Sequence, residues 1–431
     1  MQRIRFFFHE ASSPGGRRHL RQVLLLPLLV LAACASFNPQ PLDSVSFQQR
    51  LLTEENAQLE VSVAVLTPAE AAAVFGVDLA AREIQPVWIR VRNKGTRWYT
   101  LLPISLDPEY YSALEAAYKS RFFWGGGENE KMSRYFYENQ MPLNIGPGQT
   151  NAGFVFTALD EGTKFVNVEL VGAGQVHRFS FIAPVPSLKA DYHAVDFENL
   201  YDAGQIVHVD DAGLREALEA LPCCTTNKAG TAEGDPVNIV LIGEGETIFA
   251  AFVRRGWDET EILHSGSAWK TTKSFVFGSR YRYSPFSALY YLGRRQDIGL
   301  QKARATVNER NHLRLWLSPL RYRGQPVWLG QISRDIGVRF TTRAPTLTTH
   351  KIDPDVDEAR FYLLQDIYYS QGLKKYGFVG GVGRAGRDRP RRNLTGDPYF
   401  TDGLRVVMWI TGDPTAFDEI QTWDWERPDR R

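Results

Sequence analysis

Cysteine is scarce: the 431-residue chain has three, and no CxxC pair occurs among them. A zinc ribbon or a thioredoxin-type redox motif is therefore excluded. An excess of charge of either sign is also lacking. With 50 Lys and Arg against 49 Asp and Glu, the formal net charge is +1, and bulk electrostatics give no reason to expect nucleic acid as a partner. No HExxH puts metal ligands on one helix face, and no GxSxG supplies a nucleophile elbow. Apolar runs long enough to cross a bilayer, which takes about 20 residues, are absent as well.

What is present begins at the first residues. Arg3, Arg5, Arg17, Arg18 and Arg21 precede the short apolar run VLLLPLLVL at 23–31, and small residues lead to Cys34. Basic, apolar and small segments in that order are the grammar of a secretory leader over residues 1–33. Leu31-Ala32-Ala33-Cys34 resembles the lipobox of bacterial lipoproteins, which implies acylation of Cys34. Ala35 follows it, and within that class of signals this favours transfer to the outer membrane. Residues 34–46, polar and with two prolines, read as a membrane tether.

The other cysteines, Cys223 and Cys224, are adjacent. Neighbouring Cα atoms lie about 3.8 Å apart, below the usual disulfide range. Two buried small side chains are the simpler expectation, with a vicinal disulfide as the alternative.

Residues 47–186 read as a β-sandwich-like domain with inserted helices. QLEVSVAVL alternates, and TPAEAAAVF follows with Thr67, Pro68 and Glu70 set for a capping box. QPVWIRVRN and RWYTLLPISL flank an Asn-Lys-Gly turn, and GFVFTAL, KFVNVELVG and HRFSFIAPVP add strands. A helix is expected from Asp107-Pro108 to Lys119. Residues 187–234 read as a linker containing a short helix.

Residues 235–415 have a different pattern, with 416–431 as a tail. PVNIVLIG predicts a strand and GETIFAAFVRRGW a helix. In NHLRLWL, Leu313, Leu315 and Leu317 take one face while His312, Arg314 and Trp316 take the other. A turn from Ser318, Pro319, Gly324 and Pro326 then folds the run at 327–332 back, as a hairpin presenting His312 and Arg314. Asp353 is expected to cap a helix beginning at Pro354, with Asp355, Asp357 and Glu358 facing its positive end. The fold class is α+β: the sandwich-like domain, then an α+β sandwich with helices on one side of a mostly antiparallel sheet.

DPVNIVLIG, SALYYLGRRQD, QKAR, NHLRLW, PVWLGQISRDIGV and THKIDPDVDEARFYL together resemble the LssY C-terminal domain family. In some relatives that domain is joined to DedA-like and phosphatidic-acid-phosphatase-like membrane segments. The resemblance thus implies envelope lipid or polymer chemistry without assigning an activity. This chain carries a lipobox and a β-rich half in place of those segments.

Candidate site residues follow. His312, His350 and Asp335 could form an acid–base centre, and His312, His350 and Asp353, with Asp355 beside them, suit a divalent metal. Gly381-Val-Gly383-Arg-Ala-Gly386 spells GxGxxG but is followed by Arg387-Asp-Arg-Pro390 rather than a helix. Arg384, Arg387, Arg389, Arg391 and Arg392 around it offer guanidinium forks to an anion. The leading expectation is a lipid-anchored, periplasm-facing binding or scaffold module, without cofactor, for an envelope lipid, polymer or protein partner. The alternative is a metal-dependent hydrolase of a phosphorylated lipid or polymer.

Overall fold

Alternating valines and isoleucines build the first domain. The computed structural model describes residues 36–160, 163–172, 174–184, 195–259, 288–303, 310–340 and 348–428, with backbone alone at 163, 184, 259, 338–340 and 348–350. One antiparallel sheet has the strand order Leu52–Glu55, Leu59–Val65, Ile84–Asn93, Thr150–Ala158. A second runs Asn144–Ile145, Tyr99–Leu101, Thr163–Gly172, Gln175–Pro184. Because side chains alternate along a strand, Val61, Val63, Val87, Ile89 and Val91 meet Val166, Val168, Leu170, Phe179 and Phe181 between the sheets.

The opposite face of the first sheet, with Ala64, Trp88, Phe154 and Phe156, is covered by α1 (Pro68–Phe75), α2 (Ala113–Lys119) and α3 (Gly126–Glu138). Helix α1 begins with the expected capping box of Thr67 and Glu70, worth about 1 kcal/mol, and ends at Gly76 in the left-handed region. Helix α2 starts later than the sequence suggested, capped by Ser112 rather than opened by Pro108. Helix α3 starts inside the Gly125-Gly126-Gly127 run, where glycine's permissive backbone predicts no helix.

Cys34 and the leader lie outside the described residues. The described part of the expected tether is docked on the helices: the Phe37 N–H donates to Glu128, its ring meets Tyr135, and the Gln40 N–H donates to the Ala73 carbonyl. The apolar side chains in this stretch explain the difference, since Val45 is buried with Phe47 in the helical layer.

The second domain is organised on a large mixed sheet. Its order is Asp258–Glu259, Ile298–Ala303, Arg310–Tyr322, Gln325–Phe340, Ile239–Ile242, Arg405–Ile410, Leu373–Val379, Gln421–Thr422. Thr348–Ile352 pairs antiparallel with the far end of the Gln325–Phe340 strand, and Val207–Val209 pairs in parallel with the Arg310–Tyr322 strand. Helices α5 (Gly245–Val253) and α6 (Val356–Tyr369) cover the face that carries Leu313, Leu315, Leu317, Val406 and Met408.

Helix α4 (Asp211–Ala220) covers part of the other face, through Leu214 and Leu218 against Val240, Ile242, Leu329 and Val407. Helices thus lie on both sides, not one. The segment expected to be a linker supplies α4 and a strand of the sheet, and the expected tail supplies Gln421–Thr422 and Trp423, whose Nε1 donates to Asp211. A smaller sheet of Glu233–Pro236, Cys224–Thr226, Tyr290–Tyr291 and Arg294–Arg295 lies beside them.

The hairpin turns later than its prolines suggested. Tyr322 pairs with Gln325, which leaves Arg323 and Gly324, both at positive φ, as a two-residue turn, and Ser318–Leu320 becomes an irregularity within one long strand. The two domains touch where Phe165 joins the core around Phe249, and where Arg254 and Arg178 both pair with Glu169, at 3.2 and 2.8 Å.

Candidate functional site

Both faces of the Arg310–Tyr322 strand are buried, so His312 and Arg314 are not presented to solvent as expected but enclosed. Register explains what they meet. His312 lies opposite Gln301 on one neighbour and Ser333 on the other, while Arg314 lies opposite Gln331. Alternation therefore gathers Gln301, Arg310, His312, Arg314, Gln331, Ser333 and Asp335 on one face, all of them buried.

His312 Nε2 lies 3.0 Å from Asp335 Oδ2, and Arg310 Nε lies 3.7 Å from the same oxygen. Arg310 also donates to Gln301, and Arg314 Nη1 donates to Gln331 Oε1 at 2.8 Å. Burial, then the positive charges of Arg310 and Arg314, hold the His312 pKa well below its ordinary value of 6.5. The ring is therefore neutral. Asp235, whose Oδ1 accepts from Asn393, has its pKa raised by burial despite Arg314 nearby. A core strand that spends alternate positions on charged groups departs from binary patterning, and such departures concentrate where function is.

The sequence-derived candidates are partly brought together. His312 and Asp335 meet. The backbone of His350 pairs with Val338, and its side chain lies outside the described residues. Asp353 turns the chain into α6: its N–H donates to the Arg334 carbonyl at 2.8 Å, and its carboxylate accepts from the Asp355 N–H at 3.0 Å. The helix cap is Asp355, two residues beyond the expected Asp353. Asp357 is buried, where it accepts from Thr401 Oγ1 and the Asp402 N–H, both at 2.7 Å. Around His312 the guanidiniums of Arg310 and Arg314 are set against the Asp335 and Asp235 carboxylates.

The arginines of the glycine-rich stretch diverge. Arg387 lies over the Phe400 ring, Arg392 donates to the Gly396 carbonyl, and Arg391 turns inward to the Val382 carbonyl. Arg384 and Arg389 are exposed beside them. The glycines make room for arginines: a Cβ at Gly381 would collide with Arg405, and one at Gly383 would lie 2.9 Å from Arg391 Nη2.

A cavity of about 700 Å³ lies where the two domains meet. Its walls are Phe165 and Ile182 from the sandwich, Phe197 from the connecting segment, and Phe249, Ile298, Leu317 and Trp328 from the second domain. Glu198, Glu244, Glu246 and Arg321 also line it, the three glutamates exposed at its rim. Size and lining match small-molecule sites, which bury an apolar body and leave a few polar groups to orient it. No local sequence signal marks this site, because its walls come from segments far apart in the chain.

Fold and sites together define an α+β domain docked on a β-sandwich, with a ligand-sized cavity between them and a buried charged centre in its sheet. Residues 216–404 match the family model LssY C-terminus, and this part of the chain is an LssY C-terminal domain. The match ends one residue before the central Arg405–Ile410 strand, which the structure adds to the domain. None of the curated proteins matches the chain.

Proposed function

We propose that the chain is a lipid-anchored envelope protein, facing the periplasm from the outer membrane, that binds an amphipathic envelope molecule with its apolar part in the interdomain cavity. The cavity is the observation that carries this reading. Its aromatic and aliphatic walls suit an acyl or isoprenoid body, and three glutamates with one arginine at the rim suit a hydroxylated or cationic head. Leu31-Ala32-Ala33-Cys34 supports the anchor.

Two outcomes are expected. Cys34→Ser should move the protein from the membrane fraction to the soluble fraction. A pyrene-labelled monoacylglycerol should bind saturably to the wild-type chain, and Ile182→Trp, placed at a half-exposed wall position, should weaken that binding about tenfold or more, equal to about 1.4 kcal/mol. Unchanged affinity in the variant, with unchanged thermal stability, would remove the cavity from the reading.

The second reading, hydrolysis of a phosphorylated lipid or polymer, draws on the His312–Asp335 pair with Arg310 and Arg314. Here the imidazole would move a proton and the guanidiniums would hold the phosphoryl oxygens. Turnover of a phosphate ester by wild type, abolished in His312→Gln while acylglycerol binding persists, would favour it.

A further inference from the structure

The pair Cys223 and Cys224 is joined in a disulfide. The two sulfurs have different surroundings: Cys223 is partly exposed, whereas Cys224 is buried. Cys224 Sγ lies 3.7 Å from the Tyr399 hydroxyl and 3.9 Å from Arg391 Nη1. From these positions we infer that the disulfide is a thiol–disulfide exchange site for a dithiol reductant, with Cys223 the sulfur attacked and Cys224 the sulfur that leaves.

The chemistry balances as two successive displacements. A thiolate of the dithiol bonds to Cys223 Sγ, the bond to Cys224 breaks, and Cys224 departs with the electron pair as a thiolate. The second thiol of the reductant, deprotonated, then attacks its partner's sulfur in the mixed disulfide and releases Cys223. The protein gains two electrons and two protons, and the reductant becomes a disulfide.

Exchange is faster when the leaving thiolate is stabilised, and a guanidinium is among the groups that lower a thiol pKa. Arg391 is in place before reduction, since its Nη1 also donates to the Val382 carbonyl at 3.0 Å. Gly383, at φ +77°, leaves room for it. Tyr399 has its pKa raised, first by burial, so its phenol keeps a proton, which points to the Gly234 carbonyl at 3.5 Å in the disulfide form and can turn to the sulfur once Cys224 becomes a thiolate. Glu233 is the opposing group: its carboxylate lies within 4.8 Å of both sulfurs. It is exposed, so solvent screens it, whereas Arg391 and Tyr399 act from the buried side. The backbone around the pair is held independently, because the Val237 N–H donates to the Cys223 carbonyl and Arg405 donates to that of Pro222. Opening the disulfide therefore leaves the chain in place to close it again.

The test uses the full chain, purified from membranes in detergent and kept native. Dithiothreitol followed by iodoacetamide should add two carbamidomethyl groups at Cys223 and Cys224, with the near-ultraviolet circular dichroism retained. Brief treatment with glutathione should leave the mixed disulfide on Cys223 in peptide maps. Arg391→Met should slow reduction on the order of tenfold, and Arg391→Lys should recover part of the rate. Tyr399→Phe serves as an independent variant and should also slow it. Labelling only after denaturation, glutathione found on Cys224, or wild-type rates in folded Arg391→Met and Tyr399→Phe would each overturn the inference.

Discussion

Replacing Arg405 with methionine is expected to destabilise the second domain by about 3–5 kcal/mol, since buried carbonyls left without a donor cost about 1–3 kcal/mol each before the site relaxes. Arg405 opens the central Arg405–Ile410 strand and is fully buried. Its Nε donates to the Val237 carbonyl at 3.0 Å, Nη1 to Leu218 and Gly380 at 2.9 and 3.0 Å, and Nη2 to Leu221 and Pro222 at 3.1 and 2.8 Å. Those carbonyls come from three separate stretches of chain. Leu218 and Leu221 end α4, where the last carbonyls of a helix have no partner within it and a cation is favoured. Methionine fills similar space without a donor, so five carbonyls would lose a partner at once; Pro222 keeps the Tyr291 hydroxyl, and each of the other four costs about 1–3 kcal/mol before the site relaxes. Arg405→Lys should recover only a fraction, because a lysine ammonium has three donors where the guanidinium has five. Urea denaturation followed by tryptophan fluorescence reads all three chains, and a methionine midpoint equal to that of wild type would show that the carbonyls have other partners. Gly381→Ala should fall on the same side, since its Cβ would occupy Arg405's space at a backbone φ of +112°.

Arg405 also shows where sequence reading stops. Elements whose signals are local were readable: the Thr67–Glu70 capping box, the valine alternation of the sandwich strands, and the leucine face of the Arg310–Tyr322 strand. The glycine-rich stretch was legible as a string but not in purpose. Its glycines are fixed by Arg391 and Arg405, and nothing nearby in sequence says that those side chains fold back onto it. Asp357 followed the rule that acidic residues favour a helix start, yet it is buried and holds the turn at Thr401 and Asp402, while Arg360 from the same helix pairs with Asp402 at 2.7 Å. The polar face of the Arg310–Tyr322 strand looked like a solvent face because period-two alternation cannot distinguish water from a second buried layer. The short helix expected within the linker is present as α4, but its packing was not legible, because only the sheet beneath it makes its Leu214 and Leu218 a core.

Mutation at the His312–Asp335 pair is expected to have an effect of similar size, and its pH dependence separates a buried neutral histidine from a charged one. Asp335→Ala removes a carboxylate 3.7 Å from Arg310 and should cost about 3–5 kcal/mol, because a buried cation loses a counter-charge. His312→Gln is the milder change and isolates the proton. Burial, together with Arg310 and Arg314, depresses the folded pKa of His312 below 6.5. Between the folded and unfolded values the unfolded chain binds a proton that the folded chain does not. Stability contributed by the neutral ring is therefore present above pH 6.5 and falls as the solution is acidified, by up to about 1.4 kcal/mol per pH unit. Asp235 acts with the opposite sign, since its raised pKa gives the folded state the extra proton above 3.8. Asp235 titrates in both chains, so the difference in unfolding free energy between wild type and His312→Gln largely cancels it. That difference should shift toward the variant by roughly 1 kcal/mol or more between pH 7 and 5.5. A flat difference would mean that His312 titrates normally, and one that grows in wild type's favour would mean an imidazolium paired with Asp335. Either result would take away the neutral acceptor nitrogen on which any proton-transfer role for this centre depends.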